Sequence, residues 1–137
     1  MPERMHGVDL SCLIIDDDRR IAHLLDLILT MRGYGVVATR SLAEARTALV
    51  EHLPDLVLVD AHLTDGDGLE LVPWVRELPG GDHVAVVVCT ADHRLTTLLR
   101  ALRCGADDVV TKPFGVEELE LRLQLAVARR NPSPAAA

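Results

Sequence analysis

Three aspartates, Asp16, Asp17 and Asp18, follow the apolar run Leu13–Ile15, and a fourth, Asp60, closes the apolar stretch of Asp55–Asp60. Thr90 ends the run that begins at Val84, and Lys112 with Pro113 follows Asp108–Thr111. Carboxylates crowded at the ends of buried segments repel one another, and in an apolar rim some are forced neutral. A hard divalent cation removes that conflict. Mg2+ prefers octahedral oxygen ligands, keeps several waters, and uses one or two carboxylates together with phosphate oxygens. Asp17 and Asp60 suit direct ligation, and Asp16 suits ligation through water. Lys112 adds positive charge for an incoming anion, and the Thr90 hydroxyl can bond a phosphoryl oxygen. An aspartate beside a cation and a lysine can act as a nucleophile and form an acyl phosphate. Each residue alone has a plainer reading: Asp18 as a helix cap, Lys112-Pro113 as a turn, Thr90 as another cap. Their joint placement at strand ends is what favours chemistry.

That placement depends on the elements. Short β-branched runs alternate with helical patterns along the chain. Ser11–Ile15 reads as a strand, followed by a helix with Ile21, Leu24, Leu25, Ile28 and Leu29 on one face. Gly33-Tyr34-Gly35 ends it, and Val36–Thr39 is a second strand. Ser41 and Glu44 form a capping box for a helix to about Glu51. Asp55–Asp60 is a third strand, and the Gly-rich loop after it leads to a helix near Leu69–Leu78. Pro73 fits that helix only in its first turn. Val84–Thr90, the most apolar strand, is the best candidate for the sheet centre. Asp92 is placed to cap a helix with an apolar face of Leu95, Leu98, Leu99 and Leu102, and Gly105 to terminate it. Asp108–Thr111 is a fifth strand, and a last helix covers about Val116–Arg129. Strands apolar on both faces and joined by helices imply an α/β fold, a parallel sheet covered on both sides. In such sheets ligands bind outside the carboxyl ends of the strands. All the residues singled out above fall on that rim.

The 137 residues suit one domain, and 21 acidic against 14 basic residues give a net charge of −7. That balance opposes direct nucleic acid binding, which needs a positive footprint against phosphate. Cys12, Cys89 and Cys104 form no paired framework; Cys12 and Cys89 sit in apolar runs as plain buried thiols, which fits a reducing cytoplasm. No stretch reads as a signal peptide or a membrane span. Residues 1–9 read as an N-terminal extension, 10–130 as the folded unit, and 131–137 as a disordered tail or the start of a linker.

The stretches LIIDDD, DLVLVDAHLTDGDGLEL, VVVCTA and GADDVVTKPF, in this order and spacing, resemble the receiver domain of bacterial two-component response regulators. The resemblance covers about Leu10 to Arg129. It implies a flavodoxin-like (βα)5 fold with strand order 2-1-3-4-5 and helices on both faces. It implies that Asp60 is the phosphoryl acceptor, supplied by a phosphohistidine on a sensor histidine kinase or phosphotransfer protein. Asp16, Asp17 and Asp60, with the backbone carbonyl of His62, would hold Mg2+, for which Mn2+ is a substitute. Thr90 would be the switch hydroxyl, Lys112 the phosphate contact, and Lys112-Pro113 a cis peptide. His62 and Asp92 occupy the positions that set the rate of dephosphorylation. Such a receiver catalyses only its own phosphorylation and dephosphorylation, and passes a conformational change to an output domain or target protein.

There are departures from the family pattern. Val109 stands where an aromatic residue is usual, so the accompanying ring flip has no ring. Thr64 stands where proline is common, which with Gly66 and Gly68 suggests a more mobile loop. The last helix carries Leu119, Leu123, Ala126 and Val127 in one stripe and Leu121 and Leu125 off it, either a wide core face or an interaction surface. The resemblance implies a phosphorylation-dependent homodimer through the fourth helix, fifth strand and fifth helix. Arg100, Arg103, Asp107, Asp108, Glu117, Glu118 and Arg122 are placed for cross-pairs there. Competing readings are an aspartate-nucleophile phosphatase, opposed by His62 where a second acid is needed; a nucleotide or flavin module, opposed by acids where a phosphate wants N–H donors; and a receiver-like module acting without phosphorylation.

Overall fold

The computed structural model describes residues 10–131; the expected extension 1–9 and residues 132–137 of the expected tail lie outside them. Five parallel strands, β1 (Ser11–Ile15), β2 (Gly35–Thr39), β3 (Leu56–Val59), β4 (Ala85–Thr90) and β5 (Asp108–Thr111), form one sheet in the order β2-β1-β3-β4-β5. The middle strand is therefore β3. The expectation for Val84–Thr90 is corrected by one place: every residue of β4 is buried, but it lies between β3 and β5.

Five helices cover the sheet: α1 (Arg19–Met31), α2 (Leu42–Glu51), α3 (Leu71–Glu77), α4 (Leu95–Arg103) and α5 (Val116–Arg130). The alternation of side chains along each strand sorts them. Leu13, Ile15, Val57, Val59, Val86 and Val88 pack with α2, α3 and Ala101 of α4. Cys12, Ile14, Leu56, Leu58, Val87 and Cys89 pack with α1 and α5. The inner strands β1, β3 and β4 are thus apolar at nearly every position, as a sheet covered on both faces requires, while edge strand β2 is largely exposed. Cys12 and Cys89 are buried, as expected.

The helix ends follow local chemistry. Asp18 caps α1 by accepting from the Arg20 and Ile21 amides at 2.9 and 3.4 Å. Ser41 caps α2 through the Glu44 amide at 3.1 Å, but the Glu44 carboxylate reaches the Arg40 amide rather than closing back on Ser41. Pro73 lies in the first turn of α3, where its missing N–H is harmless; a 3-10 turn, Gly68–Glu70, precedes it.

Two expectations about helix faces change. On α4 the buried residues are Thr97 and Ala101, whereas Leu95, Leu99 and Leu102 are 66%, 40% and 49% exposed. Leu98 is half-buried and the other three leucines face outward, because Thr97 turns inward to hydrogen-bond Asp92 at 2.8 Å and Ala101 lets the helix approach the sheet. The position capping α4 is Arg94, with Asp92 two residues earlier. On α5 Leu119, Leu123 and Ala126 are buried while Leu121 and Leu125 are 56% and 55% exposed, so the core face is narrow. Among the described residues no helix is long and apolar enough to cross a membrane.

Candidate functional site

The sheet itself brings the acids together. The Asp60 N–H donates to the Ile15 carbonyl at 3.0 Å and the Asp16 N–H to the Thr39 carbonyl at 3.1 Å, continuing the ladders of β3 and β1 by one residue. The Lys112 N–H donates to the Thr90 carbonyl at 2.8 Å, which does the same for β5. Asp16, Asp60 and Lys112 therefore meet at the carboxyl rim. Lys112 Nζ lies 2.7 Å from Asp16 Oδ2 and 3.0 Å from Asp60 Oδ2. The Asp16 side chain is 3% exposed, that of Lys112 11% and that of Asp60 13%. Burial pushes the Asp16 carboxyl above the usual carboxylate range, and the bond to Lys112 offsets only part of this. Burial alone would lower Lys112; the hydrogen bonds and charges of Asp16 and Asp60 outweigh it and hold the ammonium above its ordinary value.

The other carboxylate oxygens are also occupied. Asp16 Oδ1 accepts from the Asp18 amide at 2.9 Å, and Asp60 Oδ1 from the His62 amide at 3.0 Å. Asp17 is placed apart: its Oδ2 accepts from both the amide and the hydroxyl of Thr64, at 3.0 and 3.1 Å. Among the described residues no three acidic, histidine or cysteine side chains converge on one point. Thr90 is 1% exposed and its hydroxyl accepts from the Asp92 amide at 3.2 Å. The Lys112-Pro113 peptide is cis.

His62 and Asp92 reach across from the loops after β3 and β4: His62 Nε2 stands 2.7 Å from Asp92 Oδ2. Arg94 forks onto Asp92 at 3.0 and 2.7 Å. Hydrogen bonds from Arg94, His62 and Thr97 hold the Asp92 carboxyl well below the usual carboxylate range. Sequence reasoning missed Thr64, Arg94, Thr97 and also His93, whose Nε2 lies 2.9 Å from the Lys112 carbonyl. Thr64 and His93 act through partners distant in sequence, whereas Arg94 and Thr97 lie two and five residues from Asp92 and could have been read from their spacing to it.

The segment after Asp60, expected to be loose, is tied at several points. His62–Leu63 pairs with Gly66–Asp67 as a two-residue hairpin. Asp65 accepts from the amides of Leu42 and Ala43 at the start of α2, and Asp67 binds Arg100 of α4. Gly68 is required by close approach: a Cβ there would stand 1.8 Å from the Asp60 carbonyl oxygen.

The donor set tests whether a cation fits. Asp16, Asp17, Asp60 and the His62 carbonyl offer only hard oxygens, with three carboxylates against one ammonium, as Mg2+ requires. The donor chemistry thus suits the ion, while the Asp17 carboxylate is engaged by Thr64.

Residues 12–124 match the response regulator receiver domain model. The transcriptional regulatory protein KdpE of Mycobacterium tuberculosis is 41% identical over 123 residues, covering 90% of this chain and 53% of that protein. The virulence transcriptional regulatory protein PhoP of Salmonella choleraesuis is 40% identical over 123 residues, covering 89% and 53%. The chain thus spans about half the length of these relatives. The beryllofluoride-activated NtrC4 receiver domain dimer, solved in solution, superposes with a TM-score of 0.82 at 27% identity, covering 88% of this chain and 98% of that one.

Proposed function

The chain belongs to the response regulator receiver domain family, and from that premise we propose that it is the phosphoacceptor switch of a two-component system, with Asp60 as the acceptor. The observation that carries this reading is Lys112 Nζ shared between Asp60 and buried Asp16 at the carboxyl rim. An Asp60 carboxylate oxygen attacks the phosphorus of a phosphohistidine on a sensor histidine kinase or phosphotransfer protein. The P–N bond breaks, the histidine leaves with its electron pair, and an acyl phosphate forms on Asp60. Lys112 neutralises charge on the transferred group, and the sheet ladder fixes Asp60 in line with it. Asp16, Asp17, Asp60 and the His62 carbonyl would hold Mg2+, which when bound neutralises equatorial phosphoryl oxygens. Mn2+ has the same donor preference.

Thr90 then exchanges its bond from the Asp92 amide for one to the phosphoryl group. Because its hydroxyl is buried, this movement disturbs the β4–α4 connection. Val109 is partly buried against the same core, so the change passes through packing rather than an aromatic ring. Hydrolysis of the acyl phosphate at the same site resets the switch, with His62 and Asp92 setting its rate. The protein is thus a signalling phosphoacceptor of the cytoplasm rather than an enzyme acting on other substrates.

The unit that does this is residues 10–130. An output domain or target protein reads it, and any DNA binding belongs there rather than to this acidic domain. The exposed leucines of α4 and α5 supply an apolar face for a homodimer through α4, β5 and α5. Several charges on that face already pair internally: Arg100 with Asp67, Arg122 with Asp108 and Glu118, Asp107 with Arg76 and Arg130. Dimerisation through it therefore relies on Leu95, Leu99, Leu102, Leu121 and Leu125 more than on new ion pairs.

Incubation with Mg2+ and acetyl phosphate, followed by intact mass measurement, tests the acceptor. A phosphoryl adduct that Asp60→Asn abolishes supports it. Turnover of small phosphates without an adduct would instead indicate a phosphatase.

A further inference from the structure

We infer that Thr64 is a positioning residue that latches Asp17 away from the cation site, so that cation affinity is set by the loop after the acceptor. The inference rests on the phosphoacceptor reading above.

Asp17 and Thr64 lie 47 residues apart in sequence, yet Asp17 Oδ2 accepts from both the Thr64 amide at 3.0 Å and the Thr64 hydroxyl at 3.1 Å. Hydrogen bonds to an ionised oxygen are the stronger kind. Meanwhile Asp16 and Asp60 share Lys112, and no three acidic, histidine or cysteine side chains converge among the described residues. Asp17 is thus the carboxylate that must move to complete an oxygen set.

Thr64 cannot simply follow it. The next residue, Asp65, is anchored on the α2 amides of Leu42 and Ala43 at 2.9 and 3.2 Å, and Asp67 is anchored on Arg100. The hairpin register of His62 with Asp67 and Leu63 with Gly66 fixes the turn between them. A tethered loop therefore competes with the cation for Asp17. Two bonds must break before Asp17 swings inward, and that loss is subtracted from the binding free energy of the ion. Both residues are exposed, so substitutions at Thr64 leave the core untouched.

The test is calorimetric titration of Mg2+ into the unphosphorylated full chain, comparing wild type with Thr64→Val and Thr64→Ser. Valine keeps the β-branched shape and the amide but deletes the hydroxyl bond. It should tighten Mg2+ binding by roughly three- to tenfold, as expected for the net loss of one solvent-exposed hydrogen bond. Serine restores the hydroxyl and should stay within about twofold of wild type. Amide exchange at residue 64 should quicken when Mg2+ saturates the wild type, because its acceptor has left. If wild type binds Mg2+ and Thr64→Val binds equally or more weakly, the latch is overturned while the cation site stands. Weaker binding would make Thr64 a support for the ligand pose. If none of the three proteins binds Mg2+, the latch falls together with the Mg2+ part of the phosphoacceptor reading.

Discussion

His62 and Asp92, on loops that follow neighbouring strands, are joined directly: Nε2 of one stands 2.7 Å from Oδ2 of the other. Their bridge spans the rim beside Asp60, whose Oδ1 accepts from the His62 amide. Two positions read separately from the sequence as rate-setting are therefore one unit. On the phosphoacceptor reading proposed above, breaking the bridge would open a path for water to the acyl phosphate. We expect His62→Ala and Asp92→Asn each to speed decay of phosphorylated Asp60 by roughly three- to tenfold. The double variant should match the singles instead of multiplying them, because contacting residues are not additive. Decay followed on phosphate-affinity gels checks both points; independent, multiplying effects would contradict the bridge.

Asp16 carries a sign that stability measurements can read. Burial raises its carboxyl above the unfolded value, so the folded chain holds that proton more tightly than the unfolded one. Folding stability from this group is then fully present below the unfolded pKa, about 3.9, and falls as pH rises through the higher folded value. In metal-free buffer at neutral pH, Asp16→Asn should therefore raise Tm by a few degrees. Below about pH 4 the advantage should disappear, since Asp16 is neutral in both states. Thermal melts across that range provide the comparison.

Gly68 tests how tightly the acceptor is framed. Its amide donates to the Ala61 carbonyl at 2.8 Å, and a Cβ would meet the Asp60 carbonyl oxygen at 1.8 Å. Backbone, not a yielding side chain, is in the way. Gly68→Ala should cost at least about 2 kcal/mol in urea unfolding. It should also slow phosphorylation by acetyl phosphate, because relief of the clash displaces Asp60.

Why some of this was legible and some was not follows from the range of each interaction. The five strands and the meeting of Asp16, Asp60, Thr90 and Lys112 at their carboxyl ends follow from strand patterns that are periodic and local; the strand order comes from the family resemblance, and pattern alone puts Val84–Thr90 one place too near the centre. The caps at Asp18 and Ser41 are local too. The orientation of α4 is not legible because apolar spacing does not guarantee burial: Leu95, Leu99 and Leu102 repeat at helical intervals, yet Thr97 and Ala101 face inward. What decides that rotation is the Thr97–Asp92 bond and the small side chain of Ala101 against the sheet, which hydrophobicity does not encode. Thr64 on Asp17, Asp65 on α2 and Asp67 on Arg100 were invisible for another reason. Each joins segments whose approach exists only once the sheet has formed.

Arg76 marks the opposite rim and separates stability from chemistry. Its Nη1 donates to the carbonyls of Gly81 and Val84 at 2.8 and 2.6 Å, and its Nη2 donates to the Gly105 carbonyl at 2.9 Å and to Asp107 at 3.2 Å. Asp107 in turn accepts from the Val86 amide and from Arg130, at 2.8 Å each. One guanidinium thus ties α3, the entries to β4 and β5, and the end of α5. Burial pushes its pKa down, with Arg130 adding to this and Asp107 opposing it, yet an arginine stays charged. Arg76→Met leaves Asp107 with Arg130 and the Val86 amide alone and removes the guanidinium donor from the carbonyls of Gly81, Val84 and Gly105. Removing one member of a buried pair costs about 3–5 kcal/mol. Arg76→Lys should recover little, since a single ammonium cannot serve acceptors on both arms of the fork. Because this network lies where the strands begin and Asp60 where they end, acetyl phosphate should still label the folded fraction of either variant at the wild-type rate. Urea unfolding beside adduct kinetics reads the two separately, and a loss of labelling in fully folded Arg76→Lys would show that the two rims are coupled.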